Sequence, residues 1–251
     1  MKIIIADDYN AMSRIAALEI KNLIDKKHNP VIGLATGSTP IGTYEELIRM
    51  NKNKEIDFSG VKTINLDEYI GLDGSNNQSY RYFMNEKLFN HININKKNTF
   101  VPDGAADDIM EEAKNYDKMI DGLGGIDLQI LGIGNNGHVA FNEPDDYLNV
   151  GTHVTRLTQN TIEANARFFD SMDDVPKEAI TMGLGQIMKA RKIILLANGI
   201  NKAEAVKGLL SGKITTDNPA TLLQLHRDVT LIIDREIADS IEETHSYKSA
   251  V

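Results

Sequence analysis

Short runs of isoleucine, valine and leucine recur along this chain and alternate with longer amphipathic stretches. No other feature limits its fold so tightly. Lys2–Ile5, Val31–Leu34, Val61–Leu66, Asp127–Leu131, Lys192–Ala197 and Val229–Asp234 read as strands. Helices are expected over Ala11–Lys26, from Pro40 to about Met50, and over Tyr80–Phe89, Ala106–Ile120 and Ala203–Leu210. Strands that alternate with helices pair in parallel, and the helices then cover the sheet. The expected fold class is α/β, with a mostly parallel, helix-covered, Rossmann-like sheet. No repeat, low-complexity tract or Pro/Gly/Ser linker interrupts the pattern, so residues 1–251 read as a single domain, with Thr244–Val251 as a frayed polar tail.

Composition narrows the function. An apolar fraction of 41% over 251 residues is enough for an extended core. The net charge is −9, with no block of basic residues, so a nucleic-acid partner is not expected, because a phosphate backbone needs a concentrated cationic footprint. The absence of cysteine removes disulfides, thiolate metal sites and cysteine nucleophiles together. His28, His91, His153, His226 and His245 show neither HExxH nor H-x-H spacing, so no metal centre is expected. The opening MKIIIADDYN has too short an apolar core for a signal peptide, and no run is long enough to cross a bilayer. No membrane partner is expected, and the expected location is the cytoplasm.

The chemistry concentrates in Leu131–Glu143, LGIGNNGHVAFNE, which follows the strand Asp127–Leu131. Gly132, Gly134 and Gly137 allow the backbone to bend and approach a ligand closely. His138 can both give and take a proton near neutral pH, and Glu143 lies close enough to fold back and orient or polarise it. Loops at the carboxyl ends of parallel strands are where open α/β sheets bind ligands, so this segment reads as a catalytic loop. Its Gly-x-Gly-x-x-Gly spacing matches a dinucleotide-binding pattern, but Pro144 arrives where the required helix should run. Gly208–Lys213 (GLLSGK) misses the nucleotide-binding P-loop by one residue and by Ile214.

Thr36-Gly37-Ser38-Thr39 joins the second strand to its helix, with Thr39 as the expected N-cap and Pro40 in the first turn. Such a turn suits a phosphate or other anion, since free amides and the positive end of the helix dipole converge there; it is also an ordinary helix start. Asp67 and Glu68 stand at the carboxyl end of the third strand. Neighbouring strand residues point to opposite faces, so one acid faces a ligand while the other ties down the loop. A carboxylate in a partly desolvated cleft can act as a general base. Gly71–Gln78 is a polar loop able to help cover a site. Arg167, in the helical-looking Asn165–Phe169, and Lys202, after the strand Lys192–Ala197, are the cationic candidates for holding an anion.

Taken together these segments resemble the glucosamine-6-phosphate deaminases. The resemblance runs through Gly33–Tyr44, Asn65–Leu72, Leu131–Pro144, Asn165–Phe169, Asn201-Lys202 and Leu223–His226, in the family's order and over almost the whole chain. It implies conversion of D-glucosamine 6-phosphate and water to D-fructose 6-phosphate and ammonia, with no metal or other cofactor and a small sugar phosphate as the partner. It implies that His138 moves the proton that opens the pyranose ring, tuned by Glu143 and Asn136. Asp67 would take the C2 proton of the open-chain aldehyde and return it to C1, after which the C2 iminium hydrolyses. Thr36, Gly37, Ser38 and Thr39, with Arg167 and Lys202, would hold the phosphate. Asn136 departs from the aspartate of many relatives, and an amide cannot hold an imidazolium by charge.

Two other readings share parts of the pattern. The 6-phosphogluconolactonases look similar up to Gly-His but continue with Thr-Ala-Ser-Leu-Phe-Pro, where this chain has Val139-Ala140-Phe141-Asn142-Glu143-Pro144. A non-catalytic sugar-phosphate sensor would not need Asp67 and His138. The sequence leaves a homo-oligomer open.

Overall fold

The strands of the computed structural model fall in chain order at Lys2–Ala6 (β1), Val31–Leu34 (β2), Lys62–Asn65 (β3), Asp67–Tyr69 (β4), Thr99–Phe100 (β5), Leu128–Gly132 (β6), His153–Arg156 (β7), Glu178–Thr181 (β8), Lys192–Ala197 (β9) and Val229–Asp234 (β10). The structure describes residues 1–158, 162 and 175–248. Seven strands form one sheet in the order β1-β10-β9-β6-β2-β3-β5, and each of its pairings is parallel. The expected fold class, a single α/β domain with a parallel, helix-covered sheet, is what forms.

The apolar runs are continuous because both faces of these strands are buried. Ile130, Ile194 and Ile232 enter one core, while their neighbours Leu131, Leu195 and Leu231 enter the other. The first core packs beneath α1 (Tyr9–Lys26) and α2 (Ile41–Lys52), which contribute Met12, Ala16, Ile20, Tyr44 and Leu47. The second packs beneath α4 (Ile109–Gly122), which follows α3 (Tyr80–Lys87), and beneath α5 (Leu184–Met188), α6 (Ala203–Leu209) and α7 (Arg235–Lys248). Each such fully buried aliphatic side chain is worth roughly 1.5–3 kcal/mol of burial. The segment expected to fray is helical as far as Lys248, and residues 249–251 lie outside the described residues. Among the described residues no helix is long and apolar enough to cross a membrane.

Topology selects where a ligand can bind. From β2 the chain crosses to β3 on one side, and from β6 it crosses to β9 on the other, yet β2 and β6 are hydrogen-bonded neighbours. The turns leaving their carboxyl ends therefore diverge and open a crevice, the switch point of a doubly wound sheet.

A second sheet was not expected. β4, β8 and β7 form an antiparallel three-stranded unit in that order, with Asp67 opposite Thr181 and Tyr69 opposite Ala179. The third strand thus stops at Asn65, and Asp67 and Glu68 belong to a new strand rather than to the end of the old one. The N-cap of α2 also differs from expectation. Pro40 holds the cap position with no side-chain cap bond, and Thr39 stays in the turn. The Tyr9 hydroxyl, from α1, substitutes for it by accepting the Gly42 N–H (2.8 Å) and donating to the Ser38 carbonyl (3.0 Å).

Candidate active site

A cavity of about 340 Å³ occupies the crevice between β2 and β6, within the range of roughly 300–1,000 Å³ usual for small-molecule sites. A larger groove of about 790 Å³ lies at the amino ends of β2 and β3, among Lys27, Asn29, Asp57 and Val61. It is on the wrong end of a parallel sheet for a ligand site and holds no imidazole paired with a carboxylate.

One end of the crevice is the turn Thr36–Thr39. Gly37 adopts φ +88°, in the left-handed region that a side chain would strain. Among the described residues, the amides of Gly37, Ser38 and Thr39 find no protein acceptor, and all three residues line the cavity ahead of α2. Orphan amides at a helix N-terminus, added to the dipole, favour an anion. The turn is braced from below by the buried Tyr44, whose hydroxyl donates to the Ala35 carbonyl. Lys202, just before α6, lines the same cavity. Arg167 lies outside the described residues.

The middle of the crevice belongs to β4. Strand alternation sends Asp67 into the cavity and Glu68 away from it. Glu68 accepts the backbone N–H groups of Tyr69 (2.9 Å), Tyr80 (2.8 Å) and Arg81 (2.9 Å), so it caps the amino end of α3. Burial pushes its carboxyl group up, against the lowering effect of those amides. Among the described residues no donor holds the Asp67 carboxylate. Burial, and secondarily the charge of Glu68, push its pKa up to about 8. A carboxylate that is desolvated and unpaired has the properties of a proton carrier.

The glycine loop supplies the opposite wall. His138 Nδ1 lies 3.1 Å from Glu143 Oε2, which leaves Nε2 for chemistry. The imidazole lies against Gly134, where a Cβ would come within 2.3 Å of the ring, so any side chain there would displace the imidazole. Asn136 ties the arrangement together. Its Oδ1 accepts the His138 N–H (3.2 Å), and its Nδ2 donates to Glu143 Oε2 (2.7 Å). The amide that cannot offer charge to the imidazole thus offers a permanent donor to the buried Glu143. Ala140 turns the chain back with φ 53°, a strain of roughly 1–3 kcal/mol. The Asn142 side chain pins that turn by donating to the carbonyls of Val139 (3.0 Å) and Met182 (2.9 Å).

The cavity therefore brings together Thr36, Gly37, Ser38, Thr39, Asp67, Asn136, His138 and Lys202, with Glu143 behind His138 rather than in the wall. Sequence reasoning missed Tyr80, which lines the cavity and whose hydroxyl donates to the Tyr69 hydroxyl (3.2 Å). Its ring stacks on Phe141 at 6.1 Å. Ser79, which caps α3 by accepting from Tyr82 N, signals where that helix starts, but nothing local signals that Tyr80 turns into a ligand crevice. Among the described residues no group of three or more histidine, aspartate or glutamate side chains is placed to hold a metal ion.

The family model for glucosamine-6-phosphate isomerases/6-phosphogluconolactonase matches residues 7–232. The chain is 66% identical over 242 residues to a glucosamine-6-phosphate deaminase of Clostridium beijerinckii, across 96% of this chain and 100% of that one. It is 58% identical over 243 residues to a glucosamine-6-phosphate deaminase of Thermoanaerobacter sp., across 97% of this chain and 96% of that one. Among solved structures, a monomeric glucosamine-6-phosphate deaminase superposes with a TM-score of 0.93 at 46% identity, covering 96% of this chain and 100% of that chain. A 6-phosphogluconolactonase from Thermotoga maritima superposes with a TM-score of 0.74 at 19% identity, covering 93% and 99%, a likeness of fold alone.

Proposed function

The chain belongs to the family of glucosamine-6-phosphate isomerases and 6-phosphogluconolactonases, and within it we propose that it converts D-glucosamine 6-phosphate and water to D-fructose 6-phosphate and ammonia. The observation that carries this reading is one cavity holding both an unpaired buried carboxylate, Asp67, and an imidazole, His138, backed by Glu143. Lactone hydrolysis has no C–H proton to move and no use for Asp67.

The orphan amides of the Thr36–Thr39 turn and the Lys202 ammonium hold the phosphate, and Arg167 is assigned to the same group by resemblance. With Nδ1–H donated to Glu143, His138 presents a basic Nε2 that takes the anomeric hydroxyl proton and hands it to the ring oxygen as the C1–O5 bond breaks, giving the open-chain aldehyde with a free C5 hydroxyl. Asp67 then removes the C2 proton while the C2 ammonium passes a proton to the aldehyde oxygen, forming a neutral enolamine across C1 and C2. Returning that proton to C1 leaves an iminium at C2. Water adds to it, and ammonia departs as the C2 carbonyl forms. Sugar phosphates do not cross bilayers unaided, and we place the reaction in the cytoplasm.

Incubation with glucosamine 6-phosphate should release ammonia and fructose 6-phosphate in equal amounts. Hydrolysis of 6-phosphogluconolactone with no ammonia from the amino sugar would replace this reading with the lactonase one.

Two side chains give sharper expectations. Lys202→Ala should weaken binding of glucosamine 6-phosphate by roughly ten- to a hundred-fold, the worth of a hydrogen bond to a charged group. Unphosphorylated glucosamine should bind as before, and calorimetric titration with both sugars separates the cases. Parallel losses would make Lys202 structural. Asn136→Asp should add an ionisation to the kcat–pH profile, because two carboxylates at this separation share a proton. A profile unchanged from wild type would mean that the amide donor to Glu143 is not felt at His138.

A further inference from the structure

Asn218 has no part in the chemistry above, yet its side chain stands between the two halves of the site. It is nearly buried and just precedes the 3₁₀ helix Pro219–Leu225. Its Nδ2 donates to the Ala205 carbonyl (2.9 Å) in α6, the helix that Lys202 introduces. Its Oδ1 lies where a Cβ on Gly137 would point, 2.1 Å from that position. In the protein itself, a Gly137 α-hydrogen meets this oxygen, a weak C–H···O contact. The Gly137 carbonyl accepts the Ala220 N–H (2.9 Å) beside it, so the 218–220 segment grips the residue preceding His138 at two points.

The grip is itself braced. Thr221 bonds to the Asn218 carbonyl through N–H (2.9 Å) and Oγ1 (2.7 Å), and also to the Thr215 carbonyl (3.0 Å). On the solvent side, Asn201 Nδ2 donates to Asn135 Oδ1 (3.1 Å), joining the same two elements a second time. Asn218 Oδ1 has no conventional donor although it is buried, which weakens rather than helps the fold. Stability alone does not explain an amide there.

Accepting the deaminase reading, we infer that Asn218 is a positioning residue that sets the span between the His138 loop and the Lys202 helix, so that one substrate meets both. The phosphate is anchored at one end of the crevice and the anomeric centre must reach His138 at the other. A shift of that span misplaces the sugar without touching the phosphate contacts.

Two variants test this from opposite directions. Asn218→Ala removes the spacer. Gly208→Ala adds a methyl whose carbon would lie 2.5 Å from Asn218 Nδ2, which must move, and alanine is welcome in a helix. In each, kcat at 25 °C should fall at least ~10-fold, the scale of a small misplacement at a reacting centre. Competitive inhibition by inorganic phosphate should change by less than about three-fold on the same argument, since Lys202 and the Thr36–Thr39 turn are intact. If Asn218→Ala does not fold, Gly208→Ala decides. Wild-type kcat in the folded variants, or phosphate inhibition that weakens in step with kcat, overturns the inference while leaving an active wild type and the deaminase reading in place. A wild type that releases no ammonia removes the reading and the inference with it.

Discussion

Asp67→Asn should lower kcat by at least ~10²-fold, the usual scale for a positioned general base, and should at the same time raise the melting temperature at pH 8. Both effects come from one fact, that the carboxyl group is buried without a partner, and this pushes its pKa from 3.8 to about 8. The sign follows from proton linkage. Between pH 3.8 and about 8 the folded protein keeps a proton that the unfolded chain has released, so rising pH through this window works against folding. Asparagine has no charge to desolvate. The variant's advantage should therefore be absent at pH 3–4, grow through the window and hold constant above it. In the wild type, kcat/KM should climb towards pH 8 as the base loses its proton, because that ratio reports on the free enzyme. Initial rates and thermal scans across pH check both parts. Near-normal turnover in the variant, or no gain in melting temperature at pH 8, would remove Asp67 from its role.

His138→Gln should cost a similar ~10²-fold or more on the cyclic substrate, for a different reason. Glutamine can fill the space over Gly134 but cannot accept the hydroxyl proton and pass it on. An open-chain analogue that cannot cyclise bypasses this step. The Asp67 chemistry on that analogue, read as exchange of its C2 proton with solvent, should stay within a few-fold of wild type. Equal losses on both substrates would mean that His138 serves the later step.

The parts of this fold that were legible in the sequence are those where local and global demands agree. Lys192–Ala197 and Val229–Asp234 are apolar at nearly every position because each face of the sheet has its own core, and that pattern needs no partner to be read. The antiparallel unit was not legible. Asp67–Tyr69 and His153–Arg156 are short and polar, and what makes them strands is pairing with Glu178–Thr181, more than twenty residues beyond either. The N-cap of α2 was misjudged for the same reason. The Tyr9 hydroxyl takes the position from 33 residues away, whereas a local rule can only propose Thr39.

The candidate site shows the same division. Alternation along a strand says that Asp67 and Glu68 point apart, but the choice between them rests on the amides of Tyr80 and Arg81, which bind Glu68. The glycine spacing around His138 announces close approach without saying to what. Gly134 makes room for the imidazole and Gly137 for Asn218. At position 136, composition records only a lost charge, while geometry records a donor gained by Glu143.

The most direct test follows the fate of deuterium at C2 of glucosamine 6-phosphate by NMR, in wild type and in Asp67→Asn. A single carboxylate that lifts the C2 proton and returns it to C1 should wash part of the label into solvent. It should deliver the rest to one face of C1 in fructose 6-phosphate, with one ammonia released per ketose. In Asp67→Asn the label should stay on C2. Label leaving C2 at the wild-type rate in that variant, or appearing equally on both faces of C1, would contradict a reaction run by Asp67.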